Sequence, residues 1–319
     1  MALRNLASAV TLSTLAFASK TFLRLTTKEY KVSGLATLTN ALECDGSVCN
    51  HNSVVDDPMM WSLLPLNTYF PFTTPSRTCR NNRWTLGASD IMFTKPTHAK
   101  FFNLGQVIET HRGGGIFQEA VDRAVQLLQD GSWIHIFPEG KVNQQLTNPA
   151  GGLLRFKWGI GRIIMDSQVM PEIIPIWISG FDQIMNETRG SPRFIPRPGA
   201  KISITVGQPL TAEIQPLVDQ WRQMAHQEAG TLGIGGQWSQ DADHTGPAGD
   251  QQREIRGKGD LIDGKEEEVR IKIVEALQEG LRKLGQEVES AEGRFKHGLW
   301  SQSTAQTSGR ESMIPKRAR

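Results

Sequence analysis

Net charge and cysteine are what this 319-residue chain has least of. Its 35 lysines and arginines stand against 33 aspartates and glutamates, a formal charge of only +2. A nucleic-acid binder would carry a larger, clustered basic surplus, so no nucleic-acid partner is expected. Three cysteines (Cys44, Cys49 and Cys79) make neither a C-x-x-C pair nor a Cys/His metal pattern, and their odd number argues against a disulfide framework. They read as reduced structural thiols, with neither metal nor other cofactor implied. Tyrosine is scarce too, two residues against eight tryptophans. Tryptophan favours the headgroup level of membranes, so the imbalance hints at lipid contact. No internal repeat is visible, and the length suits one large domain or two small ones.

Acidic residues are absent before Glu29, whereas Arg4, Lys20, Arg24 and Lys28 are basic. The apolar run between them, residues 6–18, is short and rich in Ser and Thr, which argues against a membrane span. Ala16-Phe17-Ala18 has the small-x-small form of a secretory cleavage site, and the composition suits a mitochondrial address equally well. An interfacial anchor would lay Leu12, Leu15, Phe22 and Leu23 in the bilayer surface, with Lys20 and Arg24 at the headgroups. Residues 1–28 are assigned as a targeting and membrane-anchoring segment.

Strand and helix patterns alternate over residues 29–228, as in an α/β domain with a central mixed sheet flanked by helices. The buried strand expected before His51 is hard to find, because Asp45-Gly46 is a turn signal and only Val48-Cys49 is apolar. Asp57-Pro58 opens a short helix that ends before Pro65. Residues 66–88, with Arg77, Arg80 and Arg83, read as surface loop. Residues 89–96 read as a strand and 98–105 as a helix. Val107-Ile108 is a strand, Phe117, Val121, Ala124 and Leu128 mark a helix, and residues 133–137 are a buried strand. A helix is expected over 153–165, with Arg155, Trp158 and Arg162 on one face. Residues 173–178 and 202–206 are the last strands, and Pro175 demotes the former to an edge or marks a kink. Residues 229–262 are polar, aperiodic and expected to be disordered. An amphipathic helix over 263–288 should dock on the main domain through Val269, Ile273, Leu277, Gly280 and Leu284. The tail, 289–319, is assigned no structure.

The chemistry gathers at three loops on strand ends. In Asn50-His51-Asn52-Ser53-Val54-Val55-Asp56-Asp57-Pro58, the carboxylate of Asp56 can fold back onto the His51 ring. Held so, an imidazole keeps one tautomer and leaves its other nitrogen to take a proton from a hydroxyl. Arg112-Gly113-Gly114-Gly115 offers a forked cation beside backbone that can approach a phosphate. Phe137-Pro138-Glu139-Gly140-Lys141 is a tight turn after a buried strand. Singly, each reads as an ordinary capped turn or surface cation.

Their order resembles the glycerophospholipid acyltransferase family: His-x4-Asp, a Gly/Phe/Arg block, Phe-Pro-Glu-Gly, then a strand carrying proline. The blocks Trp133-Ile-His-Ile-Phe-Pro-Glu-Gly-Lys-Val-Asn143 and Leu154-Arg-Phe-Lys-Trp-Gly-Ile-Gly-Arg162 narrow the likeness to its transacylase branch. The segment from Arg112 to Phe117 matches the family's second block loosely. The resemblance implies a membrane-bound enzyme with the family's α/β fold. It would move acyl chains between phospholipids and lysophospholipids without coenzyme A, remaking cardiolipin from monolysocardiolipin with phosphatidylcholine among its substrates. It also implies residence in one leaflet of the mitochondrial inner or outer membrane, facing the intermembrane space, in protein complexes there. His51 would be the base and Asp56 its orienter. Arg112, Gly115, Phe137, Pro138, Glu139 and Gly140 would hold the lipid's phosphate and glycerol. Lys141 is added as a nearby cation, and Arg155 and Lys157 of the second block take the same substrate-binding role. Two rivals stand beside this reading, an acyl-coenzyme-A-dependent acyltransferase and a non-catalytic scaffold binding anionic lipid.

Overall fold

The computed structural model describes residues 2–41, 46–49, 51, 53–66, 83–144, 146–149, 151–231 and 260–293. Its strands are β1 (Glu29–Ser33), β2 (Gly46–Cys49), β3 (Trp84–Ala88), β4 (Val107–Thr110), β5 (Ile134–Ile136), β6 (Ile173–Ser179) and β7 (Lys201–Val206). They form one mixed sheet in the order β1-β7-β6-β2-β5-β3-β4. All pairings are parallel except β6 with β7. The helices are α1 (Ala2–Thr26), α2 (Leu35–Ala41), α3 (Asp56–Met60), α4 (Ser89–Met92), α5 (Pro96–Leu104), α6 (Glu119–Gln129), α7 (Gly159–Asp166), α8 (Phe181–Ile184), α9 (Thr211–Thr231) and α10 (Asp260–Ala291).

Strand β6 explains the layering. Every one of its residues is buried, as a strand covered on both faces must be. Side chains alternate across a strand. Ile174, Ile176 and Ile178 accordingly pack with α1 and α3, while Ile173 and Trp177 meet α7, α9 and α10. The result is a three-layer α/β/α domain. Helix α10 lies close because small residues face it inward: a side chain at Gly285 would strike the Trp177 ring, and one at Gly280 would strike Leu210. Its Glu289 accepts from Trp177 Nε1 at 2.9 Å and from the Ser179 hydroxyl.

Several local expectations are corrected. The strand before His51 exists: β2 is four residues long, yet it lies between β5 and β6 and pairs with both. Two partners give a short strand the ladder that its own residues would not sustain. Residues 84–88 form β3, not loop, and α4 replaces the strand expected at 89–96. Arg83, expected on the surface, is buried, because Asp57 and the Gly105 carbonyl take its guanidinium. Arg77, Arg80 and Cys79 lie outside the described residues, as does most of 229–262 and 289–319. Pro175 is at no edge. Its carbonyl still accepts from Gly207, and because the antiparallel ladder starts at Ile176 the missing donor falls at the ladder's end and not within it.

The helix expected over 153–165 begins only at Gly159. Gly151 and Gly152 have positive φ, and the Leu154 and Lys157 amides bond to Glu139 and the Pro138 carbonyl instead of to helix carbonyls. Arg162 therefore shares no exposed face with Arg155. It is buried against Asp122 at 2.5 Å, Asp166 at 3.0 Å and the Ile116 carbonyl.

Helix α1 packs part of its apolar surface inward. Leu12 and Leu23 are in the core with Met59, Met60 and Trp61, and Lys20 donates to the Leu64 carbonyl at 3.0 Å. Leu6, Val10, Phe17 and Leu25 are its exposed apolar residues. Thr11, Ser13 and Thr14 donate to carbonyls one turn back, which hides the hydroxyls that argued against a span. Residues 6–26 are long and apolar enough to cross a membrane.

Candidate active site

His51 follows β2 and the Phe137–Gly140 turn follows β5. Since these strands are parallel neighbours, both arrive at the same edge of the sheet. Ligands in open α/β sheets collect at this carboxyl edge. The loop from His51 to α3 is folded by Asp56 itself. Its carboxylate accepts from the Ser53 amide at 2.7 Å, and its own amide donates to the Ser53 carbonyl. That turn brings Asp56 Oδ2 to 2.8 Å from His51 Nδ1, with Asp56 fully buried and the His51 side chain 20% exposed. The contact fixes which ring nitrogen carries the proton toward the acid and directs Nε2 away from it. The ring also stacks on Phe137 with centroids 4.4 Å apart.

Glu139 turns inward. One oxygen accepts the His51 amide at 2.9 Å, and the other accepts the Leu154 amide at 2.8 Å and Asn143 Nδ2 at 2.6 Å. Burial pushes its carboxyl up to about 7, against the downward pull of hydrogen bonds from Leu154, His51 and Asn143. Asn143 completes the clasp: its amide donates to the His51 carbonyl at 2.6 Å, and its side chain also reaches the Gly152 carbonyl at 2.8 Å. One carboxylate and one amide thus tie three loops to the backbone of the histidine.

Under the ring lies a polar floor that the sequence did not advertise. His135 of β5 is fully buried edge-on to Trp61 and Phe137. Burial lowers its pKa to about 3, outweighing the nearby Asp57 carboxylate that pulls the other way. Asp57 is held by Arg83 and by Trp61 Nε1 at 3.2 Å. A cation is thus spent on orienting α3 and not on substrate.

The exposed cations fall into two groups. Lys157 packs over Gly140, where a Cβ would come within 2.9 Å of its Cε, and Gly140 has a φ of +70°. Lys141 is exposed beside them, and the exposed Arg155 lies over the Trp158 ring at 4.9 Å. These flank the Pro138–Gly140 turn. Arg112 and Gly115 sit elsewhere on the same edge, after β4, which is separated from β2 by β5 and β3. At strand spacing that is roughly 14 Å from the histidine's strand. Arg112 is 48% exposed and pairs with Asp90 at 3.3 Å. Of the residues singled out from sequence, the structure gathers His51, Asp56, Phe137, Pro138, Glu139, Gly140 and Lys157, and leaves Arg112 and Gly115 outside that cluster. Among the described residues no three His, Cys, Asp or Glu side chains converge as metal ligands.

Residues 47–179, from β2 to the end of β6, match the family model described as Acyltransferase. The chain's relatives include tafazzins. Tafazzin of Drosophila melanogaster is 40% identical over 168 residues, covering 51% of this chain and 39% of that protein. Tafazzin of Saccharomyces cerevisiae is 33% identical over 252 residues, 66% of this chain and 64% of the other. An N-acylphosphatidylethanolamine synthase of Arabidopsis thaliana is 37% identical over 179 residues, 54% of this chain and 58% of that protein. The chain spans less than two thirds of each of these relatives. The matched stretch holds the whole His51 cluster, whereas α1, β1, β7, α9 and α10 lie outside it and complete the sheet and its covering layers.

Proposed function

We propose that this protein is a phospholipid–lysophospholipid transacylase that remakes cardiolipin from monolysocardiolipin without free coenzyme A. The observation that carries the reading is the His51–Asp56 pair, 2.8 Å apart at the carboxyl edge of the sheet. Nε2 of His51 takes the proton of the lysolipid hydroxyl as its oxygen attacks the acyl carbonyl of the donor phospholipid. Asp56 stabilises the imidazolium so formed. The tetrahedral intermediate collapses by breaking the donor's ester bond, and the departing oxygen takes the proton back from His51. One ester forms and one breaks, so no net proton or water is consumed. Lys157, Lys141 and Arg155 supply the positive field for lipid phosphates beside the turn, and Gly140 lets the Lys157 stem pack against it. Arg112 would serve the second lipid, which lies farther along the edge.

Cardiolipin, phosphatidylcholine as donor, the mitochondrial inner and outer membranes and partner proteins there come from the sequence resemblance. The acid-free, hydroxyl-rich residues 1–28 and the apolar length of α1 support that placement.

Purified protein given labelled phosphatidylcholine and monolysocardiolipin, free of acyl-coenzyme A, is expected to make labelled cardiolipin. Transfer that appears only with acyl-coenzyme A would replace this reading with the coenzyme-dependent one. Label appearing on the amine of phosphatidylethanolamine would instead favour the chemistry named for the Arabidopsis relative.

A further inference from the structure

The segment joining β6 to β7 takes no part in the chemistry above, yet it lies on the same edge as His51. Strand β6 runs parallel to β2 and continues past it, Cys49 pairing with Ile176, and β7 returns antiparallel from Lys201. The loop between them is wired to the site. Gln144 accepts the Glu187 amide at 2.7 Å and donates to the Met185 carbonyl at 3.1 Å, while the adjacent Asn143 holds the His51 carbonyl.

Its tip reads Arg189-Gly-Ser-Pro-Arg193-Phe194-Ile195-Pro-Arg197. Phe194 is 79% exposed and Ile195 44%. Single exposed apolar residues are ordinary, but these two are adjacent and ringed by cations. The side-chain hydrogen bonds of the three arginines go to main-chain carbonyls within the loop. Arg189 reaches those of Arg193 and Asn186, Arg193 that of Glu187, and Arg197 that of Gly190. These bonds fix the guanidiniums around the tip and leave their charge uncompensated by carboxylate among the described residues. Glu187, the one acid of residues 186–200, accepts the Thr147 hydroxyl at 2.7 Å. Pro192, Pro196 and Pro198 restrict the backbone, so little further freedom is lost on docking. A narrow apolar point within a positive ring suits a headgroup layer over acyl chains. A stable protein partner needs a broad face of about 800 Å² per side.

We propose that residues 189–197 are a docking tip for an anionic lipid bilayer. Phe194 and Ile195 enter the interface, Arg189, Arg193 and Arg197 take phosphates, and the edge carrying His51 is thereby turned toward the membrane. The inference shares its lipid setting with the proposed function but needs no turnover. The full chain is therefore sedimented with vesicles of phosphatidylcholine, alone or mixed with phosphatidylglycerol. Binding is expected only to the mixed vesicles and should weaken with salt. Each arginine removed costs about fivefold in affinity, so Arg193→Gln/Arg197→Gln should bind some tenfold or more weakly. Phe194→Ser should also weaken binding while keeping the salt dependence and, given its exposure, the wild-type melting temperature. Wild-type binding that ignores the anionic fraction, or variants that bind as wild type does, would overturn the docking tip. A chain that binds as expected but transfers no acyl group would sink the proposed function and leave the tip standing.

Discussion

Two glycine-bearing loops leave the same edge of one sheet and meet different fates. The turn after β5 is packed: Glu139 is 1% exposed and takes three donors from the loops around it. The loop after β4 is open: Gly113 and Gly115 have positive φ with nothing near a Cβ, and Arg112 pairs only with the exposed Asp90 in the contacts described. Both are short stretches mixing glycine and a cation, and taken singly each reads as an ordinary turn. What separates them is strand order. β5 is a direct neighbour of the histidine's strand, and β4 is three places away.

If the packed side carries the chemistry, His51→Ala should produce the largest loss, about 100- to 10,000-fold in acyl transfer, with vesicle binding retained. Equal activity in that variant would leave a lipid-binding scaffold as the better reading. Next comes Asn143→Ala, which removes the side-chain bonds to Glu139 and to the Gly152 carbonyl and so loosens the carboxylate that holds the His51 amide, without touching the ring. A small misplacement of a catalytic group costs up to about 100-fold, and the loss should fall on kcat and not on KM in the transfer assay.

The buried pair Glu139 and His135 makes a smaller, pH-dependent prediction. Glu139 sits near 7 in the fold against an ordinary 4.5, so its favourable contribution is present at low pH and is lost as pH rises through that window. His135 sits near 3 against 6.5, so its contribution is present above 6.5 and is lost as pH falls toward 3. The two slopes oppose each other between 4.5 and 6.5. Glu139→Gln removes one, and urea unfolding of that variant should lose on the order of 2 kcal/mol more than wild type on acidification across this range. Equal slopes would mean that Glu139 is hydrated. The smallest effect is expected from Arg112→Ala, a change in KM of at most about fivefold from an exposed cation. A loss matching that of Asn143→Ala would bring the β4 loop into the site and end the distinction between the two loops.

Long regular elements were legible. Helix α6 follows its apolar spacing, β5, β6 and β7 follow their β-branched composition, and Val269, Ile273 and Leu277 of α10 face the core. Elements whose character depends on a distant partner were not. Arg83 reads as surface until Asp57 is seen waiting for it. Residues 153–158 have helical spacing but are drawn straight by Glu139 and Pro138, which lie far away in sequence. His135 and Asn143 fall within the block that carried the likeness, but neither they nor Gln144 signalled their contacts, because an amide or imidazole is equally at home in a loop or on a strand.

The His51–Asp56 spacing is a matter of sequence alone: five residues, a tight turn and a helix start bring the carboxylate within reach of the ring. The clasp behind the ring is not. Glu139 and Asn143 reach His51 only because β5 adds beside β2, and hydrogen bonds of this kind act over about 3 Å. Composition can supply the donors and acceptors, but the order in which strands enter the sheet decides which of them come within that distance.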